Sequence, residues 1–168
     1  MGACKELVTV LFAKGIQNIA YLGSNMDQMV NRCRYQGYEE AYRKGKRKLN
    51  QDLVYTDLSS KAMVEKAVEE LKKSGVECIL CQDDYICDEA VRKLSHMGVR
   101  IPDQMKVASC HYSRILENYP VTVTSLKFNI TELGRRSCQV LLDMIHGKTV
   151  PDKTLLDYEI ILKESTKG

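Results

Sequence analysis

At 168 residues and 44% hydrophobic content, the chain is long enough for one sizeable core with an appendage and too short for two full domains. Its 25 basic and 22 acidic residues leave a net charge of +3 spread along the sequence, so charge alone announces neither nucleic acid nor a membrane surface. The 7 cysteines are odd in number and irregular in spacing, which argues against a disulfide scaffold and for a reducing, cytoplasmic compartment. Met1-Gly2-Ala3-Cys4 begins like a lipidation signal. Position 6 is Glu where myristoylation requires Ser or Thr, however, and neither a signal peptide nor a membrane-spanning apolar run follows.

Strand-like and helix-like segments alternate from the start, and each helix-like segment ends at a stop signal. A helix over roughly Cys4 to Ala13 stops near Gly15, and Asn18 to Gly23 reads as a buried strand. The next helix carries Met26, Val30, Arg34, Gly37, Tyr38 and Ala41 on one stripe, with Arg32, Glu39, Glu40, Arg43 and Lys44 mostly off it. Leu53 to Tyr55 is a second strand. Ser59 or Ser60 caps a third helix along Met63, Ala67, Val68 and Leu71, closed by Gly75. Cys78 to Cys81 is a third strand, followed by a helix along Ile86, Ala90, Val91 and Leu94 that Asp83 or Asp84 caps and Gly98 ends. Lys106 to Cys110 is a fourth strand. Strand-helix units of this length predict an α/β fold, a parallel Rossmann-like sheet with helices on both faces.

After Pro120 the texture changes, because Val121 to Lys127 alternates like a half-exposed strand and reads as a crossing segment. Asn129-x-x-Glu132 forms a capping box for a helix along Ile130, Leu133, Val140, Leu141 and Met144, ended by Gly147, and Leu155 to Leu162 is the last strand. There is no internal repeat and no low-complexity stretch.

Several apparent chemical signals fail on geometry. Cys78-x-x-Cys81 has the spacing of a redox or zinc motif, yet strand residues three apart face opposite ways, and no second Cys or His pair has ligand spacing. Cys110 and His111 diverge as strand neighbours, and Gly147-Lys148-Thr149 lacks the earlier glycine of a phosphate loop and follows a helix instead of opening one. Asn129-Ile130-Thr131 is formally a glycosylation sequon but reads as a helix cap. No metal ligand, cofactor or catalytic residue is expected.

Arg34 stands one turn beyond Val30 on an apolar stripe, where a guanidinium needs a partner because burying an unpaired charge is costly. Two readings stay open: a core arginine satisfied by carbonyls or an acid, or a ligand-binding arginine at the mouth of a cleft. Asp83 and Asp84 follow a buried strand and open a helix, at the carboxyl edge where open α/β sheets bind ligands. His111 ends the next strand on that edge, either as an exposed loop histidine or as part of the same site.

The ordered series Arg34-x-x-Gly37, Asp83-Asp84, Ile101-Pro102, Pro120-x-Thr122-x-Thr124-Ser125, Leu133-Gly134 and Glu164-Ser165-Thr166 resembles the effector-binding module of the lac-repressor/galactose-repressor family of bacterial transcription regulators. The match runs from Gly2 to Thr166 and concerns the C-terminal part of that module. It implies a periplasmic-binding-protein type I lobe over residues 1–118. The crossover segment over 119–168, with a helix at about 129–146 and a strand at about 155–163, would contribute to the other lobe. It also implies a sensor, not an enzyme: a small metabolite, such as a sugar or sugar derivative, bridges two lobes and biases the DNA-binding heads through a coupling free energy.

The same resemblance implies the site residues. In the family the Arg of Arg-x-x-Gly hydrogen-bonds the effector, which points to Arg34. The first residue of the polar pair after the third strand faces the ligand and the second caps the helix, which makes Asp83 the ligand residue and Asp84 the cap. His111 replaces the sugar-binding Asp after the next strand, and Leu58 stands where several members carry a stacking ring; Gln28 completes the candidate ligand-binding set. Also implied are a homodimer formed through the exposed helix Ile86 to Met97, a cytoplasmic location and no membrane partner. Operator DNA would be reached only through an N-terminal helix-turn-helix absent from this chain.

Two rivals are a solute-binding protein of a sugar transport system and a flavodoxin-like enzyme or phospho-acceptor using Asp57, Asp83 and Asp84. The cysteines and the Glu164-Ser165-Thr166 ending stand against the first. Against the second, the acidic pair of a receiver domain precedes its phosphorylated Asp, whereas here it follows Asp57.

Overall fold

In the computed structural model, which describes residues 2–167, α1 (Gly2–Ala13) leads into β1 (Ile19–Leu22), α2 (Met29–Lys44), β2 (Val54–Tyr55), α3 (Lys61–Lys73) and β3 (Cys78–Cys81). The chain continues through α4 (Asp84–His96), β4 (Lys106–Ser109), β5 (Thr124–Phe128), α5 (Ile130–Ile145) and β6 (Tyr158–Ile161). The strands form one 6-stranded sheet in the order β2-β1-β3-β4-β5-β6. β1 to β5 run parallel and β6 is antiparallel to β5. This is the predicted α/β architecture. The continuous apolar runs β1 and β3 are buried on both faces, as central parallel strands require.

The period-2 alternation of each strand splits the core into two layers. Ala20, Leu22, Ile79, Cys81 and Val107 pack with α3 and α4, whereas Ile19, Tyr21, Cys78, Leu80 and Ala108 pack with α1 and α2. Cys78 and Cys81 therefore face opposite ways, and all the described cysteines are free thiols. Caps occur where the sequence indicates: Ser60 Oγ accepts from Met63 N–H at 3.4 Å and Asn129 Oδ1 from Glu132 N–H at 2.9 Å. α3 and α4 stop where Gly75 and Gly98 take left-handed backbone, at φ +73 and +66.

Two of the short sequence signals, far apart in the chain, bind each other. Thr122 donates through N–H and Oγ1 to Glu164 Oε2 at 3.2 and 3.1 Å, and Thr124 N–H donates to Ser165 Oγ at 2.8 Å. Ser165 Oγ in turn donates to Val107 O at 2.6 Å, and Thr124 Oγ1 meets Thr166 Oγ1 at 2.7 Å. The sheet thus extends into the 119–168 segment. β5 and β6 belong to it, while α5 buries no residue.

One helix face differs from its sequence reading. The buried side of α2 is Asn31, Gly37, Tyr38, Ala41 and Tyr42, while Val30 is 51% exposed, so the stripe is rotated and Arg34 sits on its flank. The cause is an aromatic cluster: Tyr38 and Tyr42 hydroxyls donate to Ile19 O at 2.7 and 3.1 Å, and Asn31 Nδ2 donates to Ser24 O and Asn25 O at 2.9 and 3.0 Å. α4 turns Ile86, Ala90, Val91 and Leu94 into the core, the stripe its sequence predicts; Tyr85 is its exposed large apolar residue.

Candidate functional site

The carboxyl ends of β1, β3, β4 and β5 open on one edge because these strands are parallel. From β1 the chain crosses by α2 to β2, and from β3 by α4 on the opposite face to β4, so the loops leaving β1 and β3 diverge. That divergence is the topological switch point, where open α/β sheets leave a crevice.

Gly23 and Ser24 enter this crevice from β1, and Gln82 and Asp83 from β3. Gln82 is 1% exposed; its Oε1 accepts from Ser24 N–H at 3.2 Å and from the Tyr21 hydroxyl at 3.3 Å. Its Nε2 is buried and has no partner among the described residues. Gly23 makes room for it, since a Cβ there would stand 2.6 Å from Gln82 Oε1 and 2.6 Å from the Tyr21 ring. Sequence reasoning missed Gln82. The available signal was an amide directly following an apolar strand at the switch point.

The capping assignment within the acidic pair is the reverse of the one expected. Asp83 is the cap, its Oδ1 accepting from Ile86 N–H at 2.9 Å, and Asp84 lies in the first turn with its Oδ1 3.3 Å from His111 Nδ1. The reason is positional, because only the last non-helical residue can reach back to the third N–H of the helix. Burial pushes the Asp84 carboxyl up, but Ser113 and His111 outweigh it and hold it below its ordinary value. His111 is fixed by its backbone, whose N–H donates to Ser109 Oγ at 3.2 Å while that hydroxyl donates to His111 O at 2.8 Å. Its ring stacks on Phe128, 6.5 Å between centroids at 24°.

Arg34 is half-buried and, among the described residues, makes neither a hydrogen bond nor an ion pair. It is therefore not a core arginine satisfied by carbonyls or an acid. Its charge and that of Asp83 both act on the Tyr21 hydroxyl, which burial, first of all, pushes far up. Asp83 follows β3 on this edge, and His111 joins it through Asp84. The neighbouring Arg32 holds the β1–α2 loop, its Nη1 donating to Met26 O at 2.8 Å and Asp27 O at 2.6 Å.

The remaining two candidates lie apart. Gln28 precedes α2 at the cap position, exposed, and its side chain caps nothing. Leu58 offers no ligand-facing surface: it is 5% exposed and packs in the core layer of α3 and α4. The loop is drawn inward there by its own backbone, Leu58 N–H donating to Gly23 O at 3.0 Å. Beyond His111 the same edge carries a hollow of about 610 Å³ lined by Tyr112, Arg114, Phe128, Asn129 and Tyr158. Among the described residues no group of three or more His, Cys, Asp or Glu is placed to hold a metal ion, and no helix is long and apolar enough to cross a membrane.

The family model for the periplasmic binding protein-like domain matches residues 8–166. The chain is 26% identical over 168 residues to the HTH-type transcriptional regulator CelR of Thermobifida fusca, covering 98% of this chain and 49% of that protein. It is 26% identical over 166 residues to the HTH-type transcriptional regulator GntR of Escherichia coli (strain K12), covering 91% and 46%. The chain thus spans about half the length of the curated relatives it matches, and the relatives named are transcriptional regulators, not enzymes. Among solved structures, transcription regulator CcpA of Lactococcus lactis aligns with a TM-score of 0.90 at 23% identity, covering 99% of this chain and 62% of that one. The CelR-cellobiose complex aligns with a TM-score of 0.87 at 24% identity, covering 98% and 51%; likenesses at this identity establish a shared fold. With the parallel sheet, the switch-point crevice and the match over nearly all its length, the chain belongs to the periplasmic binding protein-like domain family.

Proposed function

We propose that this chain is the effector-sensing part of a cytoplasmic bacterial transcription regulator, binding a sugar or sugar derivative at the carboxyl edge of its sheet. The observation that carries the reading is the crevice with its unpartnered Gln82 amide, together with Arg34 on the helix that follows β1, a half-buried guanidinium with no partner among the described residues. Asp83 adds an acceptor, since capping uses one of its carboxylate oxygens. A polyhydroxylated ligand with one electron-rich face matches this mixture of donors and acceptors. The cellobiose in the CelR complex supports a carbohydrate class, and Leu58, buried in the core, supplies no stacking platform. In the intact protein a second lobe would close on this edge, with α5 of the 119–168 segment packed into it. The regulator would act as a homodimer on operator DNA through a helix-turn-helix outside this chain. The curated relatives support this reading over a transport protein of the same fold.

The test is calorimetric titration of the full-length regulator with mono- and disaccharides, their acids and their phosphates, cellobiose included, followed by the Arg34→Ala variant with whichever compound changes DNA binding. Losing two charge-assisted hydrogen bonds in a partly desolvated cleft predicts a cost of about 2 to 4 kcal/mol, about 30- to 1000-fold in affinity. Arg34→Lys should recover little, because a point charge does not reproduce the guanidinium fork. The folding stability of Arg34→Ala should be nearly unchanged, since no partner is lost. Unchanged affinity in Arg34→Ala would move the ligand away from this crevice.

A further inference from the structure

Five of the six residues from Arg43 to Lys48 are basic, in a chain whose net charge is only +3. The macrodipole of α2 accounts for two of them: Arg43 and Lys44 lie in its last turn, 3.7 and 3.5 Å from Glu40. It does not account for Lys46, Arg47 and Lys48. These follow the helix, whose last carbonyls are already engaged, Ala41 O by Gly45 N–H and Tyr42 O by Arg47 N–H, both at 2.9 Å. Lys46 is held at φ +52, a left-handed conformation that disfavours a side chain.

Arg47 folds back over α1. Its guanidinium stacks on the Phe12 ring, 4.4 Å from the centroid, and donates to Gln17 Oε1, which holds the cation still at the rim of a groove. This groove lies between α1 and α2, has a volume of about 720 Å³, and carries Lys5, Lys44 and Arg47 above a floor that includes Phe12 and Ala41. That volume is in the range of metabolite sites. One carboxylate, Glu6, lines the groove, and it accepts from the Tyr158 hydroxyl at 2.5 Å.

We propose that this groove, on the α1/α2 face and separate from the carboxyl edge, binds a small polyanion carrying two or more phosphate groups. Three cations against the one carboxylate Glu6 leave the groove with a surplus of positive charge, which favours a multiply charged anion over a single carboxylate. The Phe12 ring is taken by Arg47 and by an edge contact with Tyr42, 5.0 Å and 89°, so the groove selects for charge instead of for a nucleobase. Arg47 supplies a planar fork for phosphate oxygens, and Lys5 and Lys44 act as point charges on either side.

The experiment is calorimetric titration of the chain with inorganic tripolyphosphate and pyrophosphate, with orthophosphate and citrate as comparators, at about 0.15 M ionic strength, where diffuse surface attraction is screened. Tripolyphosphate and pyrophosphate should bind one to one, about 10-fold or more tighter than orthophosphate and citrate. Lys44→Gln, Lys5→Gln and Arg47→Gln should each weaken binding about 5-fold or more, and Lys66→Gln on α3 less than about 2-fold. Lys66 is a fair control, as its side chain is 78% exposed against 62% for Lys44. Lys5 forms no ion pair among the described residues, so its variant separates loss of binding from loss of fold. The proposal is overturned by the absence of one-to-one binding, by equal weakening in Lys66→Gln, or by citrate binding as tightly as pyrophosphate.

Discussion

The Asp84 carboxyl is pulled two ways: burial raises its pKa, while Ser113 and His111 more than compensate and lower it. A carboxyl depressed in the folded state lends stability that is complete above its unfolded value of about 3.9 and is lost as pH falls through the lower folded value. Asp84→Asn should therefore lower the urea midpoint at neutral pH, and its gap from the parent chain should close below about pH 4. A gap undiminished in acid would assign the effect to packing instead of charge. Gly23 is a steric case. A Cβ there would meet Gln82 Oε1 and the Tyr21 ring at 2.6 Å each, and both side chains are buried with little room to retreat. We expect Gly23→Ala to cost about 1 to 3 kcal/mol, seen as a lower urea midpoint at unchanged slope. A neutral substitution would mean that Gln82 is not held where its hydrogen bonds indicate.

At the scale of elements, α5 contrasts with the other helices. Ile130, Leu133, Leu141, Leu142, Met144 and Ile145 are each at least 50% exposed, and no residue of the helix is buried. What holds it is local: the Asn129 cap and the pairs from Glu132 to Arg135 and Arg136, at 2.6 and 3.1 Å. A helix of 16 residues without tertiary support is marginal in water, whereas α4 is anchored by Ile86, Ala90, Val91 and Leu94. Hydrogen exchange on a dilute sample should find the central amides of α5 exchanging about 100-fold faster or more than those of α4. Equal protection at low concentration would require a contact for α5 within the chain.

For the whole molecule, that exposed stripe predicts association. Apolar patches of this kind are normally covered, and another copy of the chain is the partner always at hand. Light scattering at tens of micromolar should show species larger than a monomer, and the double change Leu141→Glu with Met144→Glu should shift the mass toward the monomer without lowering the melting temperature. A monodisperse parent chain at that concentration would falsify this. Because Leu141 and Met144 lie in the second half of α5, away from its edge-facing start at Ile130, the same double change should leave the Arg34 site intact.

The order of elements, the two-layer α/β class and most helix ends were legible in the sequence because they rest on short-range rules. Buried parallel strands read as continuous apolar runs, amphipathic helices repeat every 3.6 residues, and Ser60, Asn129, Gly75 and Gly98 act within a turn of themselves. The carboxyl edge was legible in the same way, since residues following parallel strands share it. What the tertiary structure alone decided involves partners distant in the chain. α2 turned its Tyr38 and Tyr42 side inward because Ile19 O lies there, which left Arg34 on the flank. Leu58 went into the core because its N–H found Gly23 O, and Thr122 and Thr124 met Glu164 to Thr166 because β5 brought them alongside. Gln82 acquired its buried, half-satisfied amide only when β1 and β3 came side by side. Close packing and hydrogen-bond satisfaction are properties of a three-dimensional neighbourhood, and a local pattern carries no information about neighbours forty or sixty residues away.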